Sequence, residues 1–457
     1  MKLHSFMRIT KGIFIFLVMH TTSSGGITIK PFRACRANNK LVGLISCQDY
    51  NMISLEQAKK IAQANPISFV HIARPEVDCP DHVKPYDPEA GIKGYENLQD
   101  FLHENLLKHD EKPALYVYGR IKNNKLQTGI VGLVNIDEYS EGNIKRHEEV
   151  IQAKEKKLSL YTELQQAQVD PVLLLHEHNN ELSKLIENVI HQTPHQAFYS
   201  DRTAHVVWAI RDKKIIDKIC MLFKNIKTLY IGDGHHRTAA AAAIKDSKKK
   251  RNHHTEVHDF YMAGIFPFEQ VTISSYNRVF KDLNNKTKEE FLQELNLYFD
   301  IEEVSAANKA IPLQPQTFGI YCQGTWCKAT LKDNVVRSNE NNPLPMLDIA
   351  ILSNLVLKPF LNIDIYNPDK RTEFVGGVLG LDALEKNCKE HDWPLAIAFF
   401  PVRSDTFSAL VNEGGLMPPK TTWFEPKVRP GLFTYTFDCC SDSTIADDRI
   451  ESATSVE

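Results

Sequence analysis

The sequence predicts a mixed α and β fold, and two observations carry that reading. Short apolar runs of strand character alternate along the chain with polar or amphipathic stretches of helical character, and glycine, proline and asparagine turns separate them. The composition is that of a globular protein: 42% of the 457 residues are hydrophobic and 24% charged, which excludes a disordered, collagen-like or coiled-coil chain. The length predicts two or three domains. With 54 Lys plus Arg against 57 Asp plus Glu, the net charge of -3 is too balanced for a chain that coats nucleic acid or an anionic membrane. The 9 cysteines are odd in number and thinly spread, which predicts reduced thiols and a cytoplasmic protein. Neither close pair, Cys322 with Cys327 or Cys439 with Cys440, has the histidine or second pair that a structural zinc requires, so no metal site is expected.

Residues 1–26 read as an N-terminal extension, with Met19 as a candidate start, or as a short secretory signal, which would make the protein secreted. Lys2, Arg8 and Lys11 precede the apolar run Ile13 to Met19, a run far short of the ~20 residues that cross a bilayer. Ile27 to Lys30 is the first strand. Ser54 to Ala64 is a helix, capped by Ser54 and stopped at Asn65-Pro66. Ile67 to Ile72 reads as a strand ending at Arg74-Pro75, and Tyr95 to Leu107 as a helix. Leu115 to Tyr118 and Thr128 to Val134 form a hairpin around Lys122 to Lys125. Asn143 to Gln168 is charge-dense and helical in character, so that Lys145 and Glu148 would share a helix face. Val172 to Leu175 and Ala204 to Ile210 are strands; Leu182 to Val189 and Lys214 to Lys224 are helices. Lys245 to His254 reads as a solvated basic loop. Boundaries are expected near Asn284 to Lys288 and Asn308 to Gln316, giving regions 27–285 and 286–437 and a disordered acidic tail, 438–457.

The chemistry concentrates around residue 235. Thr228 to Ile231 is a short apolar strand, Gly232-Asp233-Gly234 a turn, and Ala239 to Ala243 the body of a strong helix. A strand that turns through glycines into a helix presents unpaired amides and the positive end of the helix dipole, which suits an anion. Arg237 and a histidine, His235 or His236, can add charge-assisted hydrogen bonds to phosphate oxygens. The spacing is neither that of a Walker loop nor G-x-G-x-x-G. Adjacent histidines on a helix diverge by about 100°, so His235 and His236 do not share one metal ion. The same residues also fit a purely structural reading in which Asp233 caps the helix and the histidines bond to backbone.

The D-G-H-H-R run at 233–237 resembles the domain-of-unknown-function 1015 family, often described as SpoOJ/ParB-like. It is also similar to the signature of ParB/sulfiredoxin-like nucleotide-binding proteins, which include ADP- or ATP-dependent free-serine kinases. Further matches are Pro31-Phe32-Arg33-Ala34, Arg74-Pro75-Glu76, Gln127-Thr128-Gly129, Ile144-Lys145-Arg146-His147-Glu148, Pro171-Val172, Ser275-Tyr276-Asn277-Arg278, Leu347-Asp348 and Met417-Pro418-Pro419-Lys420-Thr421-Thr422-Trp423-Phe424. The resemblance implies a ParB/sulfiredoxin-like nucleotide-binding core with a large insertion and an additional C-terminal α+β region.

It further implies a small-molecule phosphotransferase, acting on serine or a related hydroxy compound, with ATP or ADP as nucleotide and Mg2+ as companion ion. Phosphates would sit on Asp233, Gly234, His235, His236 and Arg237, helped by the cations Lys145 and Arg146 and by a second polar turn carrying Lys420, Thr421, Thr422 and Lys427. Asp49, His147, Glu148 and His236 are the candidate catalytic groups. Two departures from the family pattern stand against full activity. Gln48-Asp49-Tyr50-Asn51 replaces P-P-Y-D, so an amide stands where an acid is expected, and Lys156, Lys157, Leu158 and Tyr161 replace a run of acids, an arginine and a histidine. The other readings are a non-catalytic nucleotide-binding regulatory protein and a phosphatase of a phosphorylated small molecule. No nucleic-acid or membrane partner is expected.

Overall fold

The computed structural model describes residues 25–335, 347–366 and 370–437. The expectations for the N-terminal start and for the tail 438–457 fall outside the described residues, apart from residues 25 and 26. The fold is mixed α and β. Among the described residues one sheet has nine strands, in the order Ile144–Lys145, Leu229–Asp233, Val172–His176, Phe260–Pro267, Lys125–Asn135, Leu115–Lys122, Thr203–Ile210, Gln196–Ser200, with Ile29–Lys30 beside Lys125–Asn135. Its pairs are antiparallel except for two, Leu229–Asp233 with Ile144–Lys145 and Phe260–Pro267 with Val172–His176. A second sheet, antiparallel throughout, runs Phe299–Val304, Thr325–Leu331, Thr317–Cys322, Leu395–Phe399, Thr272–Phe280, Thr372–Gly376, with Thr422–Glu425 on the first half of Thr272–Phe280. The chain passes between the sheets through the short 3-10 turn Phe268–Gln270, so Thr272–Phe280, ahead of the boundary expected at 285, already belongs to the second sheet. One apolar cluster joins residues of both, from Phe32 and Tyr116 to Phe318 and Phe407.

Local chemistry explains most elements. Ser54 accepts from the Gln57 amide while Gln57 accepts from that of Ser54, a capping box at the helix Leu55–Ala64. Asn179 and Asp212 cap the helices Asn180–Ile190 and Lys213–Lys224. In the hairpin Leu115–Lys122 with Lys125–Asn135, Asn123 and Asn124 both take positive φ, the backbone of a tight two-residue turn.

Four expectations are corrected. The run at 67–72 is not a strand: Val70–Ala73 is a short helix, started by Asn65 and Ser68 side chains on the amides of Ile67 and Val70. Ser68, Phe69, Val70 and Ile72 are buried and Ile67 and His71 partly so, which leaves no clear period to tell strand from helix. The helix expected from Tyr95 is Pro88–His103, opened by a proline in its first turn, while Leu107 starts a strand. In the charged tract 143–168 the helix is Gln152–Gln165, and Lys145 lies on an edge strand, so Lys145 and Glu148 share no helix face. The basic tract Lys245 to His254 is a loop only in its second part: the helix His235–Lys250 takes in its first six residues, and the buried Lys245 ammonium meets Asp137 at 2.7 Å and Asp259 at 2.8 Å.

Asp348, 8% exposed, opens the helix Asp348–Leu352; its Oδ1 accepts from the Gln316 amide at 2.8 Å, and burial raises its carboxyl to about 7. A carboxyl raised on folding contributes stability below its unfolded value near 4 that is lost as pH climbs through about 7. Urea midpoints of the wild type should therefore fall across that window, and Asp348→Asn should flatten the fall. Parallel curves for the two proteins would show that this carboxyl is not the titrating group.

Candidate functional site

Three strand neighbours converge at the end of Leu229–Asp233. Ile144–Lys145 runs parallel to it, with Tyr230 opposite Lys145, so the chain beyond delivers His147 and Glu148 alongside Ile231 to Asp233. Val172–His176 runs antiparallel, with Asp233 opposite Leu173, so Asp170, two residues before that strand, lies at the same edge. Thr422–Glu425 arrives from the second sheet, flanked by Lys420 and Lys427. Gly232 and Asp233, expected in a turn, are the last strand residues; Gly234 alone makes the bend, at φ +99°, and the helix His235–Lys250 follows. A Cβ at Gly234 would come 3.0 Å from the Arg237 guanidinium and 3.2 Å from Val172. Gly234 offers no side-chain cap, so the first-turn amides of His235, His236 and Arg237 have no intrahelical acceptor. They border a cleft of about 720 Å³ lined by Gly234 to Arg237, Glu148, Lys154, Asp170, Lys420, Lys427 and an aromatic wall of Tyr50, Tyr86, Tyr161, Tyr261, Tyr276 and Trp423.

A row of alternating charges holds the bend. Arg237 bonds Asp170, and its other arm meets Asp233 at 2.6 Å. Lys427 bridges Asp233 at 3.3 Å and Asp49 at 3.2 Å, with its ammonium 4.6 Å from the Trp423 ring. The Tyr50 hydroxyl donates to Asp170 at 3.1 Å. Burial opposes the charged form of Asp233, yet Lys427 and Arg237 hold its carboxyl far below the usual range. Burial likewise opposes the Arg237 and Lys427 cations, and the facing carboxylates raise both above their ordinary values. Asp170 is pushed up to about 6 by burial against the pull of Arg237, which leaves it ionised at neutral pH.

The histidines act on backbone, as the structural reading anticipated, although Asp233 is not the cap. His147 is 1% exposed; its Nδ1 donates to the Ile231 carbonyl at 2.8 Å, so Nε2 accepts from the Thr422 hydroxyl at 3.0 Å. Burial lowers it to about 4 and keeps the ring neutral. Both nitrogens are engaged and His147 is not among the residues that line the cleft, where the sequence reading expected it. His235 Nε2 accepts the His147 amide at 3.4 Å, and His236 Nε2 the Ile151 amide at 3.2 Å. Burial pushes both rings below the usual histidine value.

The other expected groups divide. Glu148 lines the cleft; burial raises its carboxyl, and one oxygen accepts the Lys420 amide at 3.1 Å. Lys420, at φ +58°, lays its ammonium 5.0 Å from the Tyr276 ring centre. Its loop is backed by Arg278, 2% exposed between Phe374 and Phe399, which donates to the Pro419 and Lys420 carbonyls at 3.4 Å. Lys145, Arg146 and Thr421, expected at the anion, do not line the cleft, and Thr422 lines a small pocket adjoining it. Lys145 reaches Asn412 at 2.8 Å, and Arg146 is exposed beside Tyr139. The Thr421 hydroxyl donates to the Pro418 carbonyl at 2.6 Å, and that of Thr422 is on His147. Asp49 lies behind the charge row, off the main cleft. Sequence reasoning missed Asp170, Lys154 and the aromatic wall. Asp170 immediately precedes Pro171-Val172, the start of a wholly buried strand, and an acid in that position was the available signal.

The chain belongs to the family described as protein of unknown function (DUF1015), whose model matches residues 29–350. Among solved structures it is similar to SbnI with C-terminal truncation from Staphylococcus aureus, at 12% identity and TM-score 0.36, over 71% of this chain and 93% of that one. A free serine kinase in complex with AMP is similar at 13% identity and TM-score 0.32, over 68% and 95%. A conserved hypothetical protein from Pyrococcus furiosus is similar at 14% identity and TM-score 0.31, over 66% and 94%. No curated protein matches.

Removing Arg237 would leave Asp170 and Asp233 facing each other across the bend. Arg237→Ala should destabilise the protein by roughly 3 kcal/mol at pH 8 and by less at pH 5. Asp170 is already raised to about 6, and without the guanidinium it takes up a proton more readily, which relieves the repulsion on the acid side. Denaturant titrations at the two pH values check this; an equal loss at both would mean that pairing of charge is not what the variant forfeits.

Proposed function

We propose that the cleft binds a phosphorylated small molecule, nucleotides foremost, and that the protein transfers a phosphoryl group to a small hydroxy compound. One observation carries the reading: an uncapped helix start, two lysines outside the alternating charge row, Lys154 and Lys420, and a buried carboxyl with a raised titration point, Glu148, all line one cleft. The first-turn amides of 235–237 with Lys154 and Lys420 would hold phosphate oxygens. Arg237 and Lys427 are matched by Asp49, Asp170 and Asp233, and this row shapes the turn. Glu148, which lines the cleft, would accept the proton of an acceptor hydroxyl as that hydroxyl oxygen attacks phosphorus and the bond to the leaving phosphate breaks. The donor set does not suit a Mg2+ held by protein alone, because Asp49, Asp170 and Asp233 each lie on a cation.

A second reading, nucleotide binding without catalysis, is favoured by Asp49 being engaged by Lys427 and by the amide at Asn51 where the family pattern has an acid. Thermal shift with ATP, ADP, AMP and pyrophosphate tests binding: a ligand at a hundredfold excess over its dissociation constant adds about 2.7 kcal/mol. Lys420→Ala should weaken that binding by about tenfold or more without unfolding the protein. Phosphorylated product from a panel of hydroxy compounds tests catalysis. Glu148→Gln should lower turnover on the order of a hundredfold or more while binding persists. Turnover should also rise with pH as the raised Glu148 carboxyl loses its proton. Binding without product supports the second reading, and no binding of any phosphate compound removes both.

A further inference from the structure

The wall of the cleft contains an aromatic ring whose backbone is strained and whose surface is left open. Tyr86 has φ +67°, a left-handed conformation that a bulky side chain adopts at a cost of about 1–3 kcal/mol. The strain is set by a tight turn: the Asp87 carboxylate accepts the Lys84 amide at 2.9 Å, and the Asp87 amide donates to the Lys84 carbonyl at 3.1 Å. Burial does not repay it, because Tyr86 remains 43% exposed. Met52 and Ile151, at 39% and 48% exposed, are the other large apolar side chains that line this cleft and stay open beside it, along with Tyr366. An apolar rim around a charged floor describes a receptor for a ligand with one flat apolar end and one anionic end.

The ring's placement says which end lies where. Tyr86 packs edge to face on Tyr161, centroids 5.4 Å apart at 84°, and Tyr161 is itself 5% exposed and part of the cleft floor. Tyr86 and the turn Gly234 to Arg237 line the same cleft, and Tyr86 keeps 43% of its surface open there. A planar group lying on that ring would stand beside the first turn of the helix His235–Lys250, within a cleft of about 720 Å³, which has room for a nucleotide and a small acceptor together.

We propose that Tyr86 is the stacking platform for the heterocyclic base of a nucleotide, which makes the ligand of this cleft a nucleotide and not an inorganic or sugar phosphate. The inference rests on the proposed function for its phosphate end only. Stacking of a base on an aromatic side chain contributes about 1–3 kcal/mol, tolerant of base identity. The test is equilibrium binding of adenosine, AMP, ADP, ribose 5-phosphate and tripolyphosphate to the full chain and to Tyr86→Ala and Tyr86→Phe. The wild type should bind AMP at least tenfold more tightly than ribose 5-phosphate. Tyr86→Ala should weaken ADP by about 5- to 100-fold and leave tripolyphosphate unchanged, and Tyr86→Phe should bind ADP like the wild type. Equal affinity for AMP and ribose 5-phosphate overturns the platform and spares the phosphate site. Adenosine bound without tripolyphosphate does the reverse. If Tyr86→Ala loses ADP and tripolyphosphate equally, the residue shapes the loop and the platform is wrong. Relief of the positive φ by Tyr86→Gly separates strain from stacking: greater stability with weaker ADP binding supports the proposal, and unchanged ADP binding overturns it.

Discussion

Arg237 sits between Asp170 and Asp233, and the arrangement of the cleft follows from that contact. Asp233 ends one strand, Arg237 lies in the first turn of the next helix, and Asp170 precedes the antiparallel neighbour of that strand. One planar guanidinium therefore ties three backbone segments at the point where the chain reverses at Gly234. A lysine could not replace it on equal terms, since a point charge lacks the fork that addresses two carboxylates at once. Asp233 then carries charge enough to hold a second cation, Lys427, and Lys427 brings the segment after Thr422–Glu425 of the second sheet against the first.

This pairing also decides which cations are left to attract a ligand. Arg237 and Lys427 are matched by three carboxylates, so the charge row contributes shape and rigidity more than positive potential. The remaining positive character of the cleft comes from amides of the helix start and from Lys154, with Lys420 also facing the carboxylates of Glu148 and Asp233. Beneath it His147 and His235 form a buried layer. His147, His235 and Thr422 satisfy each other's polar groups in the interior, so neutral imidazole fixes the backbone that a charged imidazole would disrupt. A family motif that reads as a cluster of reactive groups thus separates into a face that touches the cleft, Glu148 and the first helical turn, and a face that supports it.

Much of the fold was legible where the signal is local. The capping box at Ser54, the asparagine pair of the hairpin and the alanine-rich helix are each written within a few adjacent residues, and the strand that ends at Asp233 is closed by the bend at Gly234. The errors fall where burial erases the pattern, as at 67–72, or where a charged tract is read as solvated although one lysine in it, Lys245, is drawn inside by two acids from other elements. The motif at 233–237 was visible as a candidate site, and its neighbour Asp170 was not, because a single acid before a strand has no period and no partner nearby in the chain.

What the sequence by itself determined was conformation: backbone preference acts over a few residues, so glycine at 234 and alanines at 239–243 dictate a bend and a helix wherever they are placed. What only the tertiary structure decided was the fate of each charge. Arg237 meets Asp170 across 67 positions, Glu148 meets Lys420 across 272, and His147 meets Thr422 across 275. Desolvation and Coulomb interaction depend on distance through space, and topology alone turns those separations into contact.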